Sequence, residues 1–403
     1  MIIGIDASRA NRRYKTGTEW YSFYVIKNLA ELDSANTYRL YTNDTPSFEL
    51  QEIIQNHPNF SIKVLKWPFN FFWTLGRLSL EMIFARPDIL FVPAHTLPLF
   101  QPWKTITTIH DIAFARDKSL YYEKKLPTTT RLGEILLNAF VKVITFSRYE
   151  PNSVDYLDWS TRYAFKRAKK IITVSEFTNK EILEVYPKAP ADKIIPIHNG
   201  YNNDLYKKIN DPEQVESVLA KYSLTRPYFL YVGRLEKKKN TPALIEAFAL
   251  FKEKNPGYNH KLVLIGSASY GFDEVKYIIE EFNLNKEVIM PGWVEELDLP
   301  YIYNGAVAFI FPTKHEGFGI PVIQSLACGL PTAVSDIPVL REVAGDSVLY
   351  FNPNSHRDIK RAMESLITDQ LLREDLIKKG YLKAQEFSWR KCAEETLREI
   401  LSL

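Results

Sequence analysis

The sequence predicts an α/β protein of two domains, each a mostly parallel sheet covered by helices on both faces. Three observations lead there. Strand-like and helix-like patterns alternate along almost the whole chain. The strand-like runs are apolar almost throughout, as strands buried on both faces must be. The chain has 403 residues, 46% of them hydrophobic, which exceeds one ordinary domain and is enough to fill two cores.

The first half opens with the strand "MIIGID", Met1–Asp6. A helix fits "GTEWYSFYVIKNLAEL", Gly17–Leu32, where Trp20, Phe23, Tyr24, Ile26 and Leu29 form a broad apolar stripe. "YRLYT" and "SIKVLKW" read as strands, and so does "PDILFVPA" with a proline at its entrance. "KTITTIHD" is rich in β-branched residues. "AKKIITVS" is a further strand, "EFTNKEILEVY" the helix after it, and "KIIPIHNG" closes the half.

The second half repeats the rhythm. Strands are expected at "YFLYVGRL", "HKLVLIGS", "EVIMPGW", "VAFIFPT", "LPTAVSD" and "SVLYFNP". Helices are expected at "NTPALIEAFALFKEKNP", "DEVKYIIEEFNL", "SHRDIKRAMESLI" and "QLLREDLIKKGYLKAQEF". The polar, turn-rich stretch Gly200–Pro227 marks the boundary. The expected domains are therefore 1–205 and 206–386. Residues 387–403 form a last helix, with Ser388 as its N-cap.

Composition narrows the function. The formal charge is only +3, from 51 basic and 48 acidic residues, so a nucleic-acid partner is not expected. The two cysteines, Cys328 and Cys392, are far apart in apolar helical patterns and read as buried thiols in a reducing, cytoplasmic setting. The first charge falls at Asp6, so the N-terminal run reads as a strand rather than a leader. No run reaches the roughly eighteen apolar residues of a membrane span. Trp67–Ala85 comes nearest and is broken by Asn70, Arg77 and Glu81.

In doubly wound sheets, ligands bind beyond the C-terminal ends of the strands. Two such domains also leave a cleft between them. Polar residues cluster at nearly every one of these strand ends. In "YVGRLEKKKN", Gly233 allows close backbone approach, Arg234 offers a planar fork and Lys239 a flexible point charge. A helix N-terminus follows, so the group suits a diphosphate. Lys237 and Lys238 read as a solvated basic turn. Gly266 ends "LVLIG" in the same way. In "FPTKHEGFGIPVIQSLACGLPTAVSD", Gly317 and Gly319 leave amides uncovered before a helix that Pro321 opens. Glu316 would repel phosphate and fits better as an acceptor for hydroxyls. Gln324 stands eight residues later, outside the apolar set Val322, Ile323, Leu326 and Ala327, and can hydrogen-bond a diol. His95 in "VPAH" and His110 with Asp111 in "IHD" also sit at strand ends. Their spacing is not that of a metal site. Gly17 lies in a long first loop that lacks the G-x-G-x-x-G pattern of a dinucleotide fold. Positive charge for a diphosphate, groups for hydroxyls and a histidine together suit a nucleotide-activated sugar.

Over nearly its whole length the chain resembles the large retaining glycosyltransferase family with the GT-B fold, family 4 in type. "TVSEFTNKEI", "IHNG", "YVGRLEKKKN", "LVLIGS", "PGWV", the glutamate motif, "REVAGDSVLYFNP" and "FSWRKCAEETL" occur in the family's order. The resemblance implies two Rossmann-like α/β/α domains facing each other across a deep cleft. The C-terminal domain would hold the nucleotide-sugar, GDP-mannose or a UDP-hexose, and the last helix would cross back onto the N-terminal domain. Arg234 and Lys239 would grip the diphosphate, and Glu316 the donor sugar. His315, Phe318, Gly319 and Ile320 belong to the same donor loop. His110 would lie beside the reacting centre, Gly17 would approach the donor phosphates, and His95 and Asp111 would face the acceptor. Gln324 departs from the pattern, since the second glutamate of E-x7-E accepts from ribose hydroxyls. A neutral amide keeps an acceptor and loses the charge.

The expected activity is hexosyl transfer with retention, without cofactor or metal, onto a glycan or polyprenyl-linked glycan of a cell-surface polysaccharide. A sugar-nucleotide epimerase on the same fold, or a non-catalytic sugar-nucleotide binder, are the alternatives. The aromatics of Trp67–Phe84 and the basic residues Arg162, Lys166, Arg167, Lys169 and Lys170 suggest contact with an anionic membrane, on the inner face of the cell membrane. The competing reading of that second stretch is a helix pair packed within the N-terminal domain.

Overall fold

The computed structural model describes residues 1–68, 72–121 and 152–403. The chain divides into two compact units: Met1–Gly200 with Trp389–Leu403, and Tyr201–Ser388.

Among the described residues of the first unit, seven strands form one parallel sheet in the order β3-β2-β1-β4-β5-β6-β7. They are β1 (Ile2–Asp6), β2 (Thr37–Thr42), β3 (Phe60–Val64), β4 (Ile89–Val92), β5 (Thr105–Ile109), β6 (Lys170–Thr173) and β7 (Ile194–Pro196). The helices are α1 (Gly17–Leu32), α2 (Phe48–Asn56), α3 (Ser79–Phe84), α4 (Ala113–Arg116), α5 (Ser153–Arg167) and α6 (Glu176–Val185). All of β4 and β5 is buried. The three threonines of β5 remain inside because each hydroxyl finds a partner: Thr105 donates to the Pro102 carbonyl, Thr107 to that of Ala94, and Thr108 pairs with the Tyr21 hydroxyl.

The second unit has six strands, again all parallel, in the order β10-β9-β8-β11-β12-β13. These are β8 (Tyr228–Val232), β9 (Lys261–Ile265), β10 (Val288–Gly292), β11 (Ala308–Phe311), β12 (Thr332–Ser335) and β13 (Leu349–Phe351). Its helices are α7 (Pro212–Lys221), α8 (Thr241–Lys254), α9 (Phe272–Glu281), α10 (Leu299–Gly305), α11 (Ile320–Ala327), α12 (Pro338–Ala344), α13 (His356–Thr368) and α14 (Gln370–Ala384). The final helix, α15 (Trp389–Leu401), belongs to the first unit. Trp389 stacks on Tyr24 at 5.5 Å and meets Tyr21 edge-on, while Lys170 pairs with Glu399.

Helices α2, α3, α4, α10 and α12 are not expected from the sequence. All are short, and local chemistry defines the starts of α2, α10 and α12. Ser47 accepts from the Leu50 amide, and Pro300 and Pro338 occupy first turns. The polar stretch taken as a boundary belongs to the second unit from Tyr201 onward and carries α7, capped by Asp211.

The aromatic stretch from Trp67 resolves into a π-helical turn, Thr74–Leu78, followed by α3. Leu75, Leu78 and Met82 turn inward, and Trp73 donates its indole N–H to the Leu65 carbonyl. Residues 69–71 and 122–151 lie outside the described residues, and with them the first half of the stretch 133–170 that ends in the basic residues read as a membrane contact. The rest of that stretch is α5, packed through Val154 and Ala164. Arg162 there pairs with Asp158 and covers the Tyr186 ring, and Lys170 is tied to α15. Lys169 lies over the Trp103 ring, so at least three of the five basic residues make internal contacts. Among the described residues, no helix is long and apolar enough to cross a membrane.

Candidate functional site

In each unit the first strand lies inside the sheet, with later strands added on both sides. Such a reversal of strand order opens a crevice at the C-terminal strand ends. In the second unit it lies between β8 and β11, and in the first between β1 and β4.

At the second unit's crevice, β8 runs out into Gly233 and Arg234. Gly233 holds φ 156°, and a Cβ there would stand 2.8 Å from the Tyr231 hydroxyl. That hydroxyl donates to the Arg234 carbonyl at 2.9 Å and fixes the turn. The Gly233 amide donates to Ile265 at the end of β9. Gly266 holds φ 143°, and a Cβ there would lie only 2.0 Å from the Gly233 carbonyl oxygen. The two glycines thus let two strand ends touch. A 3₁₀ turn, Lys237–Lys239, follows, and Asn240, in the left-handed region at φ 57°, leads into α8.

Lys237 and Lys238 are not the solvated basic turn the sequence suggests, because Lys238 is buried. Its carbonyl accepts from the Lys314 amide and the Thr313 hydroxyl, which stitches the turn to the loop after β11. That seam delivers Lys239 to Glu316: the ammonium and carboxylate form an ion pair with both side chains at least 86% buried. The ammonium also lies 5.8 Å from the Phe311 ring centre. Arg234 is half exposed and 3.6 Å from Glu236, whose other oxygen is buried without a hydrogen-bond partner.

Beyond Glu316, Gly317, Phe318 and Gly319 are buried, and Gly319, at φ 102°, opens α11. The Phe318 ring packs edge-on against Phe387. His315 and Ile320 are half-buried on either side. Gln324 is buried, a correction to its reading as lying outside the core. It lies on α11, a little over one turn beyond Gly319.

The first unit carries its own polar cluster. Asp6, at the end of β1, accepts from the Ser8 amide and hydroxyl and from Thr74. Burial nevertheless holds its pKa above the ordinary carboxylate value. Arg9 pairs with Glu19 at 3.2 Å. Burial pushes Glu19 upward, but Thr16 and Arg9 outweigh it and hold this carboxyl below its usual value. Gly17 is the first residue of α1, not part of a loop as the sequence suggests, and a Cβ there would meet nothing within 4 Å.

His110 donates from Nε2 to the Pro93 carbonyl at 3.1 Å and packs edge-on against Tyr21 at 4.8 Å. Burial depresses its pKa, so it is neutral near pH 7. With Nε2 committed, Nδ1 is an acceptor. His95 Nε2 is buried with no partner, and burial with the nearby His110 and Arg9 brings its pKa down to about 4. Asp111 is engaged locally by the Ala113 amide and the Tyr121 hydroxyl.

The predicted residues thus divide. Gly233, Arg234, Lys239, Gly266 and the loop His315–Ile320 gather at the C-terminal strand ends of the second unit, with Gln324 buried on the helix that follows. His95, His110 and Asp111 gather in the first unit, and Gly17 opens α1. Arg9, Glu19 and Asp6 are additions to the sequence reading. Glu19 is signalled by Thr16-x-x-Glu19, a capping box that the structure forms. Among the described residues, no group of three or more His, Cys, Asp or Glu is placed to hold a metal.

Two parallel, doubly wound units with a basic turn and a carboxylate at one switch point define a GT-B glycosyltransferase architecture. The comparisons with known proteins agree. Residues 16–205 match the profile of Glycosyltransferase Family 4, and residues 219–383 that of Glycosyl transferases group 1. The chain belongs to this glycosyltransferase family. It is 30% identical over 259 residues to the O-antigen chain mannosyltransferase B of Escherichia coli, which covers 64% of this chain and 67% of that one. It is 27% identical over 294 residues to the serotype-specific mannosyltransferase WbdA of Escherichia coli, covering 72% of this chain but only 32% of that longer protein. In fold it is similar to Anabaena HepE, solved with UDP and glucose, with a TM-score of 0.71 at 15% identity over 100% of this chain and 99% of the other.

Proposed function

We propose that this protein transfers a mannosyl residue from GDP-mannose to a hydroxyl of a polyprenyl-linked glycan, with retention and without a metal ion, during synthesis of a surface polysaccharide. The observation that carries the reading is the buried Lys239–Glu316 pair beside Arg234 at the second unit's switch point. The mannosyl choice is supported by the two Escherichia coli relatives, both mannosyltransferases.

In the reaction the acceptor oxygen bonds to the sugar's anomeric carbon as the bond from that carbon to the diphosphate breaks. The electron pair goes to the leaving diphosphate, and the acceptor's proton passes to a phosphate oxygen on the same face. Arg234 and Lys239 stabilise charge that grows on the diphosphate, so they act more strongly in the transition state than before it. Glu316 accepts from sugar hydroxyls, and Gln324 meets the ribose through its amide. From the first unit, His110 accepts a sugar hydroxyl at Nδ1, while Gly17 leaves the phosphates room. His95 and Asp111 face the acceptor. The protein works at the cytoplasmic face of the membrane, in peripheral contact with it.

A panel of GDP- and UDP-sugars, with and without magnesium, tests the reading by thermal shift and by nucleotide release. GDP-mannose should stabilise the protein, and GDP should be released only when acceptor is added, equally with and without magnesium. Conversion of the sugar nucleotide to an isomer without acceptor would point to an epimerase, and GDP release without acceptor would show hydrolysis instead of transfer. Stabilisation by UDP-hexoses alone would overturn the donor.

A further inference from the structure

The crevice residues all lie at the C-terminal ends of the strands. At the opposite edge of the first unit's sheet, large apolar side chains stand in solvent. Helix α3 ends just before β4 and turns Leu80, Ile83 and Phe84 outward, at spacings of three and four, with Phe84 83% exposed. The segment leading into β5 exposes Phe100 and Trp103, the latter at 79%.

These two groups are neighbours. The Leu99 amide donates to the Ser79 hydroxyl at 2.7 Å, which joins the segment to α3. Gln101 donates to the Arg167 carbonyl at 3.0 Å, which joins it to the end of α5. The Lys169 amide donates to the Thr105 carbonyl, and its ammonium lies 5.5 Å from the Trp103 ring centre. One continuous edge therefore carries aromatic and aliphatic side chains rimmed by cations.

The rim is basic: Arg86, Lys166, Arg167 and Lys169 are exposed there, and Lys104 is half-buried beside Trp103. Asp88, exposed at the same edge, is engaged by the Ile2 amide at 2.7 Å. An exposed apolar patch of this kind marks an interaction surface. Aromatic and aliphatic side chains that project beside lysines and arginines match the two layers of an anionic bilayer, its acyl boundary and its negative headgroups. A protein partner would need complementary carboxylates around a shaped apolar socket, whereas a bilayer needs only this layering.

We propose that this edge, through Phe84 and Trp103 with Arg86 and Lys169, is the surface by which the protein docks on an anionic lipid membrane. The assignment rests on the reading of a membrane-linked acceptor, and it replaces the broad aromatic run of the sequence with a particular face. The inward residues Trp73, Leu75, Leu78 and Met82 take no part.

The test is co-sedimentation of the full chain with phosphatidylcholine vesicles, with and without one third phosphatidylglycerol, at low and high salt. The wild type should bind the phosphatidylglycerol vesicles, bind phosphatidylcholine alone at least about tenfold more weakly, and lose binding in high salt. Phe84→Ser with Trp103→Ser should reduce binding by about tenfold or more. Arg86→Glu with Lys169→Glu should abolish the preference for phosphatidylglycerol. Both pairs are exposed, so their melting temperatures should match the wild type. Equal binding to both vesicle types, full binding by either variant, or no sedimentation would overturn the proposal. So would a patch-dependent dimer, seen by sedimentation velocity, in a protein that ignores vesicles. Nucleotide release onto a water-soluble acceptor is read separately: its persistence in a protein that binds no vesicle would reject this surface and leave the transferase reading intact.

Discussion

Lys239 and Glu316 pair with each other, although the proposed reaction needs them for different parts of the donor. The diphosphate must draw the ammonium away from the carboxylate, and the sugar must then take up the freed oxygens. Glu316→Gln keeps a hydrogen-bonding side chain and removes the competing charge. GDP alone should therefore bind as tightly as in wild type or more so, by isothermal titration, while transfer falls on the order of a hundredfold. Weaker GDP binding together with unchanged transfer would refute this division of labour. His95 gives a second test at this scale. Burial brings its pKa down to about 4, from the ordinary histidine value of about 6.5. As pH falls from about 6.5 toward 4, the unfolded chain takes up a proton that the folded chain refuses, so stability is full above that window and is lost through it. His95→Gln should flatten the fall in melting temperature between pH 6.5 and 4; an unchanged acid limb would show that His95 is solvated.

Elements show what could be read from the sequence and what could not. The strands were legible because parallel strands buried on both faces are apolar from end to end, as β4 and β8 are. The helix from Gly17 to Leu32 was legible from its stripe of apolar residues. The short helices α10 and α12 were not, because two turns are too few to establish a period against their flanks. The donor loops were visible as residue types, but their stitching was not. That Lys238 is buried follows from its carbonyl accepting from Thr313 and Lys314, more than seventy residues away, and no local pattern encodes that contact. The pairing of Arg9 with Glu19 depends likewise on the turn between β1 and α1. One close approach can be tested directly. Gly266→Ala places a methyl 2.0 Å from the Gly233 carbonyl in a backbone conformation that alanine rarely adopts. It should lower stability by about 2 kcal/mol or more in urea titrations and cut donor affinity with it. A stable variant with normal affinity would show that the two strand ends can part without cost.

At the scale of the whole molecule, the first unit is discontinuous in sequence. Trp389 fills the space over Tyr21 and Tyr24, and Cys392, Ala393 and Ile400 are buried with it. Removing residues 389–403 should therefore damage the unit that contains residue 1, not the unit that precedes the cut. Calorimetry of the truncated chain should show one transition close to its wild-type position and another lowered by several degrees or lost to aggregation. Equal lowering of both would mean the helix supports the two units alike.

The return of α15 also orders events at the ribosome. Tyr21 and Tyr24 emerge early, but the indole that covers them is added only after the entire second unit has been translated. At ~5–20 residues per second, that is a wait on the order of ten seconds or more. During it the newborn first body has an aromatic flank open to chaperones and proteases. That flank closes only once translation has passed Trp389, so the first unit cannot finish folding until the second has been made.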